Sequence, residues 1–317
     1  MALTTTTNFA PAIQATYDNI LLSTPTRKYI YSACADRRTM PARGGNIIRF
    51  QRINRLAAAK VPLGNTGATP PSTNVTSVYV NAKVDFYGSW IGINEQVVLQ
   101  NQCPVLTAFA IQLGIQYKQT EDELIRDMLS ASAGAINCTA GFNGDVPTEI
   151  TGSDIFGVTT QLQSEDAIPL SEMREGAMKF GTAPTFDAYF AFCHTDLIGD
   201  LHNINGFRNK AEYPNQENVL PAEIGTYGYA RFLGSSGGST TPVGSFNGAT
   251  VYNVIFSGVE GYGIVDQEGY PPQFIYNSPV YAGGPLRQNS TAAWKAAFTT
   301  RILNDAWVVN LRCTRSR

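Results

Sequence analysis

Charge is scarce in this sequence. Only 15% of its 317 residues are Asp, Glu, Lys or Arg, against about 25% in an ordinary soluble domain. Few charges beside 11% aromatic residues suit a chain whose faces are covered in an assembly, although a Gly- and Thr-rich all-β monomer has the same composition. Histidine is scarcer still. His194 and His202 are the only two, which leaves little general base for nucleophilic catalysis, and their spacing does not place two ligands on one helical face. The five cysteines (Cys34, Cys103, Cys138, Cys193, Cys313) lie far apart with no C-x-x-C. That excludes a zinc ribbon or disulfide framework and predicts reduced thiols. No run is apolar enough for a membrane helix, and the first residues lack the basic and apolar regions of a secretory signal. A soluble, cytoplasmically made protein is expected, with no membrane partner. The sequons at Asn74, Asn137 and Asn289 then read as chance. No G-x-x-x-x-G-K-[ST] phosphate loop is present.

The remaining motifs yield no chemistry. Cys193 and His194 are adjacent at the end of an apolar strand run, so their side chains leave on opposite faces and make a poor dyad. A monomeric Cys-His hydrolase is therefore a distant reading. Residues 258–263 (GVEGYG) read as a hairpin or bulge rather than a dinucleotide loop, and Glu121, Asp122 and Glu123 read as a solvated helix face. No catalytic residue, metal ligand or cofactor is expected.

The charge that exists is segregated. Up to Lys60 there are nine cations (Arg27, Lys28, Arg37, Arg38, Arg43, Arg49, Arg52, Arg55, Lys60) against Asp18 and Asp36, leaving 14 basic and 23 acidic residues for the rest. Such asymmetry marks either a nucleic-acid arm or a basic element that docks on acidic neighbours. Docking is favoured, because these cations are interleaved with strand and turn residues. Arg37, Arg38, Arg49, Arg52, Arg55 and Lys60, with Pro70 and Pro71, are the candidate inter-subunit contacts.

The stretch 43–96 is the most informative. Residues 46–53 and 77–87 both alternate apolar and polar side chains, the second with Val78, Val80, Ala82, Val84 and Phe86 on one face. Between them, 56–74 is rich in Gly, Pro, Thr and Asn and has almost nothing to bury. So long a loop is usually an interaction element, and a two-stranded ribbon is marginal alone. It needs a surface to lie on, and a neighbouring copy of the chain is the simplest one.

Length allows roughly two domains. A short helix is expected at 13–22, and Arg43, Gly44 and Gly45 supply a turn before the first ribbon strand. Residues 104–133 read as one helix of roughly 45 Å, with Pro104 first, a stripe of Leu106, Phe109, Ala110, Leu113, Tyr117, Leu124, Ile125, Met128 and Leu129, an Asp122–Arg126 pair, and Gly134 as its stop. A connector over 135–154 leads to a helix at 155–163 capped by Ser153. Further expectations are a buried strand at 186–193, a helix at 195–203, a polar loop at 204–218, and strands at 229–233 and 249–258 around a flexible tip at 234–241. The tail, 291–302 and 307–311, alternates and reads as a β-hairpin.

Together these parts resemble the major capsid protein of tailed bacteriophages, with the Johnson fold, and more narrowly the family typified by N-four-like podophages. The resemblance is carried by residues 40–52 (MPARGGNIIRFQR), 84–91 (VDFYGSWI), 222–232 (AEIGTYGYARF), and 285–288 (PLRQ) with Trp294, Lys295, 302–304 (ILN) and Trp307, and it covers nearly the whole chain. Two departures stand out: Ala222 replaces a Gly, and 287–290 replace a Gly-rich segment.

The resemblance implies an α+β fold with an N-terminal arm (1–45), an extended loop (46–87), a peripheral domain (88–184 and 279–317) built on the spine helix, and an axial domain (185–278). It implies pentamers and hexamers in an icosahedral shell around double-stranded DNA, non-specific contact with that DNA, and a portal and scaffolding or decoration proteins as partners. Assembly would occur in the host bacterial cytoplasm. An encapsulin-like nanocompartment shares the implied fold.

Overall fold

Alternating apolar residues build two sheets, and one long helix spans both in the computed structural model. The structure describes residues 26–60, 72–100, 105–132, 134–139, 146–169, 187–213, 219–220, 222–246, 249–282 and 286–316. The expected helix at 13–22, Cys103, Pro104, and Pro70 and Pro71 lie outside these.

In chain order the first elements are β1 (Asp36–Met40), β2 (Ile47–Ile53), β3 (Ser77–Lys83), β4 (Asp85–Asn94), α1 (Glu95–Gln100) and the 28-residue α2 (Val105–Ser132). Next come β5 (Gly134–Asn137), α3 (Gly152–Ser164), β6 (Tyr189–His194), α4 (Ile198–Asn203), β7 (Arg208–Asn209), β8 (Glu223–Tyr227) and β9 (Ala230–Ser235). The chain closes with β10 (Thr240–Phe246), β11 (Ala249–Ser257), β12 (Tyr262–Gln267), β13 (Gln273–Asn277), α5 (Pro279–Ala282), β14 (Asn289–Ile302) and β15 (Val308–Thr314).

A five-stranded sheet runs β1-β12-β14-β13 with β4 also on β14, and an eight-stranded sheet runs β5-β15-β11-β6-β9-β8-β7 with β10 on β11. β2 and β3 form a separate two-stranded ribbon. Helix α2 lays Phe109, Leu113, Tyr117 and Leu124 on Ile93, Ala292, Trp294 and Phe298 of the five-stranded sheet. Its later turns bring Ile125 and Leu129 to Phe190, Phe192, Ile255 and Val308 of the other sheet. α3 covers that sheet's opposite face through Ile155, Val158 and Leu162. The rings of Phe192, Phe232 and Phe256 are fully buried, and truncating any one would cost about 3–5 kcal/mol.

Several local expectations change in tertiary context. The strand expected over 77–87 breaks at Val84, because β3 pairs with β2 whereas β4 pairs with β14. Gly134 opens β5 in the stretch expected to be a connector, pairing in parallel with β15. The cap of α3 is Thr151, not Ser153. Thr151 and Asp154 form a reciprocal capping box, worth about 1 kcal/mol. The tip at 234–241 is not loose: Ser235, Gly237, Gly238 and Ser239 are buried, and the Ser235 hydroxyl donates to the Lys28 carbonyl at 2.5 Å. The segment 223–227, unassigned by pattern, is strand β8. Residues 258–261 turn between β11 and β12, which belong to different sheets and so form no hairpin. Likewise β14 and β15 are strands as expected but not a hairpin, since each joins a different sheet.

Candidate inter-subunit surface

The ribbon starts at a tight turn, where the Gly44 amide donates to the Pro41 carbonyl at 3.2 Å and Arg43 and Gly45 take φ of 65° and 91°. Its register pairs Ile47 with Lys83 through to Ile53 with Ser77. The Asn54 amide adds a bond to the Thr76 carbonyl at 2.9 Å. Period-2 alternation then separates two faces. Ile48 and Phe50 turn inward onto Met40, Val84, Val265 and Ala297. The other face carries Ile47, Arg49, Gln51, Ile53, Tyr79, Asn81 and Lys83, all exposed.

The candidate residues divide by location. Arg37 is spent inside the subunit, on Glu121 and on Asp266 at 3.1 Å. Arg38 bonds Asp36 at 3.1 Å and lies over the Phe50 ring at 5.4 Å. Arg49 donates to Asn81 Oδ1 at 3.1 Å and covers the Tyr79 ring at 5.5 Å. Arg52 lines a cavity of about 150 Å³ between the ribbon and Glu260, Leu303, Asn304 and Trp307. Arg55 reaches Asp166 at 2.9 Å with both side chains in solvent, a pair of little strength. Lys60 is exposed. Arg38, Arg49 and Arg52 are thus gathered on the ribbon and its root.

The acidic stretch read as a solvated face is instead a receptor for the N-terminal segment. Glu121 and Asp122 are buried. Glu121 holds Arg37 and, at 2.9 Å, Lys118. Asp122 Oδ1 accepts the amides of Tyr31 and Ser32 at 2.9 and 3.1 Å, and Arg27 bonds Glu123 at 2.6 Å. Asp122 therefore turns away from Arg126, whose guanidinium goes to Asp127 and to the Gly237 carbonyl. Burial pushes the Asp122 carboxyl up to about 6, against the two amide bonds and Arg27 that pull it down. The charge segregation in the sequence was the signal for this docking. Which acids receive the cations was not legible, because helix periodicity does not say what lies on a face.

Cys193 is fully buried with its thiol donating to the Leu233 carbonyl at 3.5 Å, and burial pushes its pKa up. His194 Nδ1 accepts the Asp196 amide at 3.1 Å and caps the short helical turn after β6. The thiol stays protonated and the imidazole serves as a cap. Among the described residues no group of three His, Cys, Asp or Glu is placed to hold a metal, and no helix is long and apolar enough to cross a membrane.

A separate basic ribbon, a spine helix backing a sheet and an N-terminal segment strapped along that helix are the parts that the resemblance to tailed-phage capsid proteins implies. The model of the phage capsid protein family matches residues 77–310, well over half of the chain, and the chain belongs to that family. Solved structures with the same fold include the capsid of Ralstonia phage GP4 (TM-score 0.72, 13% identity, covering 97% of this chain and 96% of that one). The head of Helicobacter pylori bacteriophage KHP40 aligns with TM-score 0.70 and 10% identity over 100% and 98%. The capsid of cyanophage P-SCSP1u aligns with TM-score 0.67 and 12% identity over 96% and 94%. No curated protein matches the sequence. The protein is a major capsid protein, a structural component that assembles with itself into the phage shell.

Proposed function

We propose that the ribbon and the loop at its tip lie across the adjacent subunit of the same capsomer, so that pentamers and hexamers close into an icosahedral shell. The observation that carries this is the ribbon's exposed face, where Ile47, Ile53 and Tyr79 stand beside Arg49 and Lys83 with no partner element over them among the described residues. Each contact is weak, but engaging several neighbours at once raises effective concentration, and closed symmetry limits growth. Residues 1–45 act as the arm, 46–87 as the extended loop, 88–184 with 279–317 as the peripheral domain, and 185–278 as the axial domain around capsomer centres. This division is supported by β6, β8, β9 and β11 sharing one sheet and by α2 backing β4 and β14. β5 and β15 join the axial sheet while β12 and β13 join the five-stranded one, which knits the two together.

The shell encloses double-stranded DNA with non-specific contacts, assembles in the bacterial host cytoplasm, and takes a portal and scaffolding or decoration proteins as further partners. The chain performs no catalysis, which the protonated Cys193 and capping His194 support. Its motifs at 40–52 and 222–232 support placement beside the N-four-like podophages. Negative-stain imaging of purified particles, with assay of their nucleic acid, tests the reading. Closed polyhedra containing DNA are expected, and only uniform small particles under every condition, scaffold candidates included, would overturn it.

A further inference from the structure

Two of the buried thiols lie side by side. β5 follows the spine helix and pairs in parallel with the terminal strand β15, Ile136 opposite Leu311 and Asn137 opposite Arg312. The next step along both strands sets Cys138 beside Cys313, and the Cys138 amide donates to the Arg312 carbonyl at 2.9 Å. Side-chain alternation sends both cysteines to the face covered by α3, with Ile136, Val309 and Leu311. Both are fully buried. Strands in such a ladder lie about 4.8 Å apart, within the roughly 4.4–6.8 Å between Cα atoms that a disulfide requires.

The two thiols also meet. The Cys313 thiol donates to the Tyr252 carbonyl at 3.6 Å, which leaves its sulfur to accept the Cys138 thiol, and the pair is hydrogen-bonded. That bond, with burial, pushes the Cys138 pKa up. Beyond the pair the backbones part around Thr148, whose amide donates to the Cys138 carbonyl at 2.8 Å and whose carbonyl accepts the Thr314 amide at 2.9 Å. Cys193 packs on the same face of the sheet. It is set apart, because β11 stands between β6 and β15 and its thiol goes to the Leu233 carbonyl.

We propose that Cys138 and Cys313 are a latent disulfide, open while the shell assembles and closed by a low-molecular-weight disulfide once particles leave the host cell. One thiolate attacks a sulfur of the small disulfide and expels one small thiol. The other cysteine then attacks the mixed bond and expels the second. The two cysteines give up two protons and two electrons, and the small disulfide is reduced to two thiols. Little Cys138 thiolate exists in the closed fold, so closure waits on local opening. β5 provides it, being four residues long and paired on one side only among the described residues. The bond would tie the strand after the spine helix to the last strand of the chain. It would close a long loop, for which a disulfide stabilises most. The timing rests on the reading that assembly occurs in a reducing cytoplasm; the pairing does not.

The test incubates shells and free subunits, reduced and then freed of reductant, with oxidised glutathione. Quenching with N-ethylmaleimide in denaturant and digestion for mass spectrometry follow. A peptide pair joining Cys138 to Cys313 within one chain is expected. The melting temperature should rise by about 5 °C or more, and dithiothreitol should reverse both effects. Cys138→Ala and Cys313→Ala should each lose both, and Cys193→Ala should keep both. The peptide mapping uses the native chain and needs no variant to fold. Full alkylation of both cysteines, or bonds to other thiols, would overturn the pairing. A bond without a rise in melting temperature would overturn its role as a latch. Shells alkylated in denaturant at the moment of lysis should carry both thiols free, and a bond already present there would overturn the timing while the pairing stands.

Discussion

Arg231 sets Nε and Nη2 against the two carboxylate oxygens of Glu223, at 3.0 and 2.7 Å, with both side chains sealed from solvent. The same carboxylate accepts the Leu220 amide at 2.7 Å and the Tyr213 hydroxyl at 3.0 Å. It sits where β8 shifts register against β9. Arg231→Met removes the cation and leaves Glu223 buried among neutral donors, which should cost about 3–5 kcal/mol. The denaturant midpoint of the free subunit reads it, and a loss under about 1 kcal/mol would place this pair with surface ion pairs.

Ala222 and Arg287, the latter opening the segment 287–290, both carry positive φ, at 71° and 51°. A side chain in that region costs about 1 kcal/mol, part of which glycine returns as unfolded-state entropy. Ala222→Gly and Arg287→Gly should each stabilise slightly, with the pair raising the melting temperature by about 2 °C. A fall on Ala222→Gly would mean that its methyl, which packs against the core beside Leu220 and Leu233, outweighs the backbone strain.

Asp122 couples stability to pH. Its carboxyl is raised from 3.8 to about 6, chiefly by burial, so the folded chain binds more protons than the unfolded chain between those values. The group's stabilising contribution is therefore complete below about pH 4 and lost as pH rises through about 6. Asp122→Asn keeps an oxygen for the Tyr31 and Ser32 amides and cannot titrate. Its melting temperature should change less than that of the native chain between pH 4 and 7, and parallel profiles would count against a raised pKa.

Deleting residues 57–74 should leave a folded subunit that forms no shells, because the ribbon's root on Met40, Val84 and Val265 is kept while its reach is lost. Normal shells from this deletion would sink the proposed role of the loop.

Charge reversal at Arg49, Arg52 and Arg55 should reduce capsomer formation more than DNA retention, since these residues sit on the ribbon and its root. Native gels and the nucleic-acid content of particles compare the two effects. The opposite order would favour a nucleic-acid arm.

Short-range patterns in the chain specified the ribbon strands, the spine helix, the strand character of 291–302 and the absence of a workable Cys193–His194 dyad. Each depends on side-chain period or on adjacency, which are properties of a few consecutive residues. Family resemblance added the Johnson fold, carried by short motifs spread along the whole chain. Contacts between distant residues escaped. The period of α2 could not say that Glu121 and Asp122 face Arg37, Tyr31 and Ser32 rather than water, because burial depends on which segment crosses that face. Nor could alternation in 77–87 reveal that Val84 divides two sheets, or alternation in the tail that β14 and β15 part company, since a strand's pattern names its faces but not its partners. The meeting of Cys138 and Cys313 exists only by virtue of sheet order, and that order is set by the packing of residues as distant in the chain as Ile136 and Leu311.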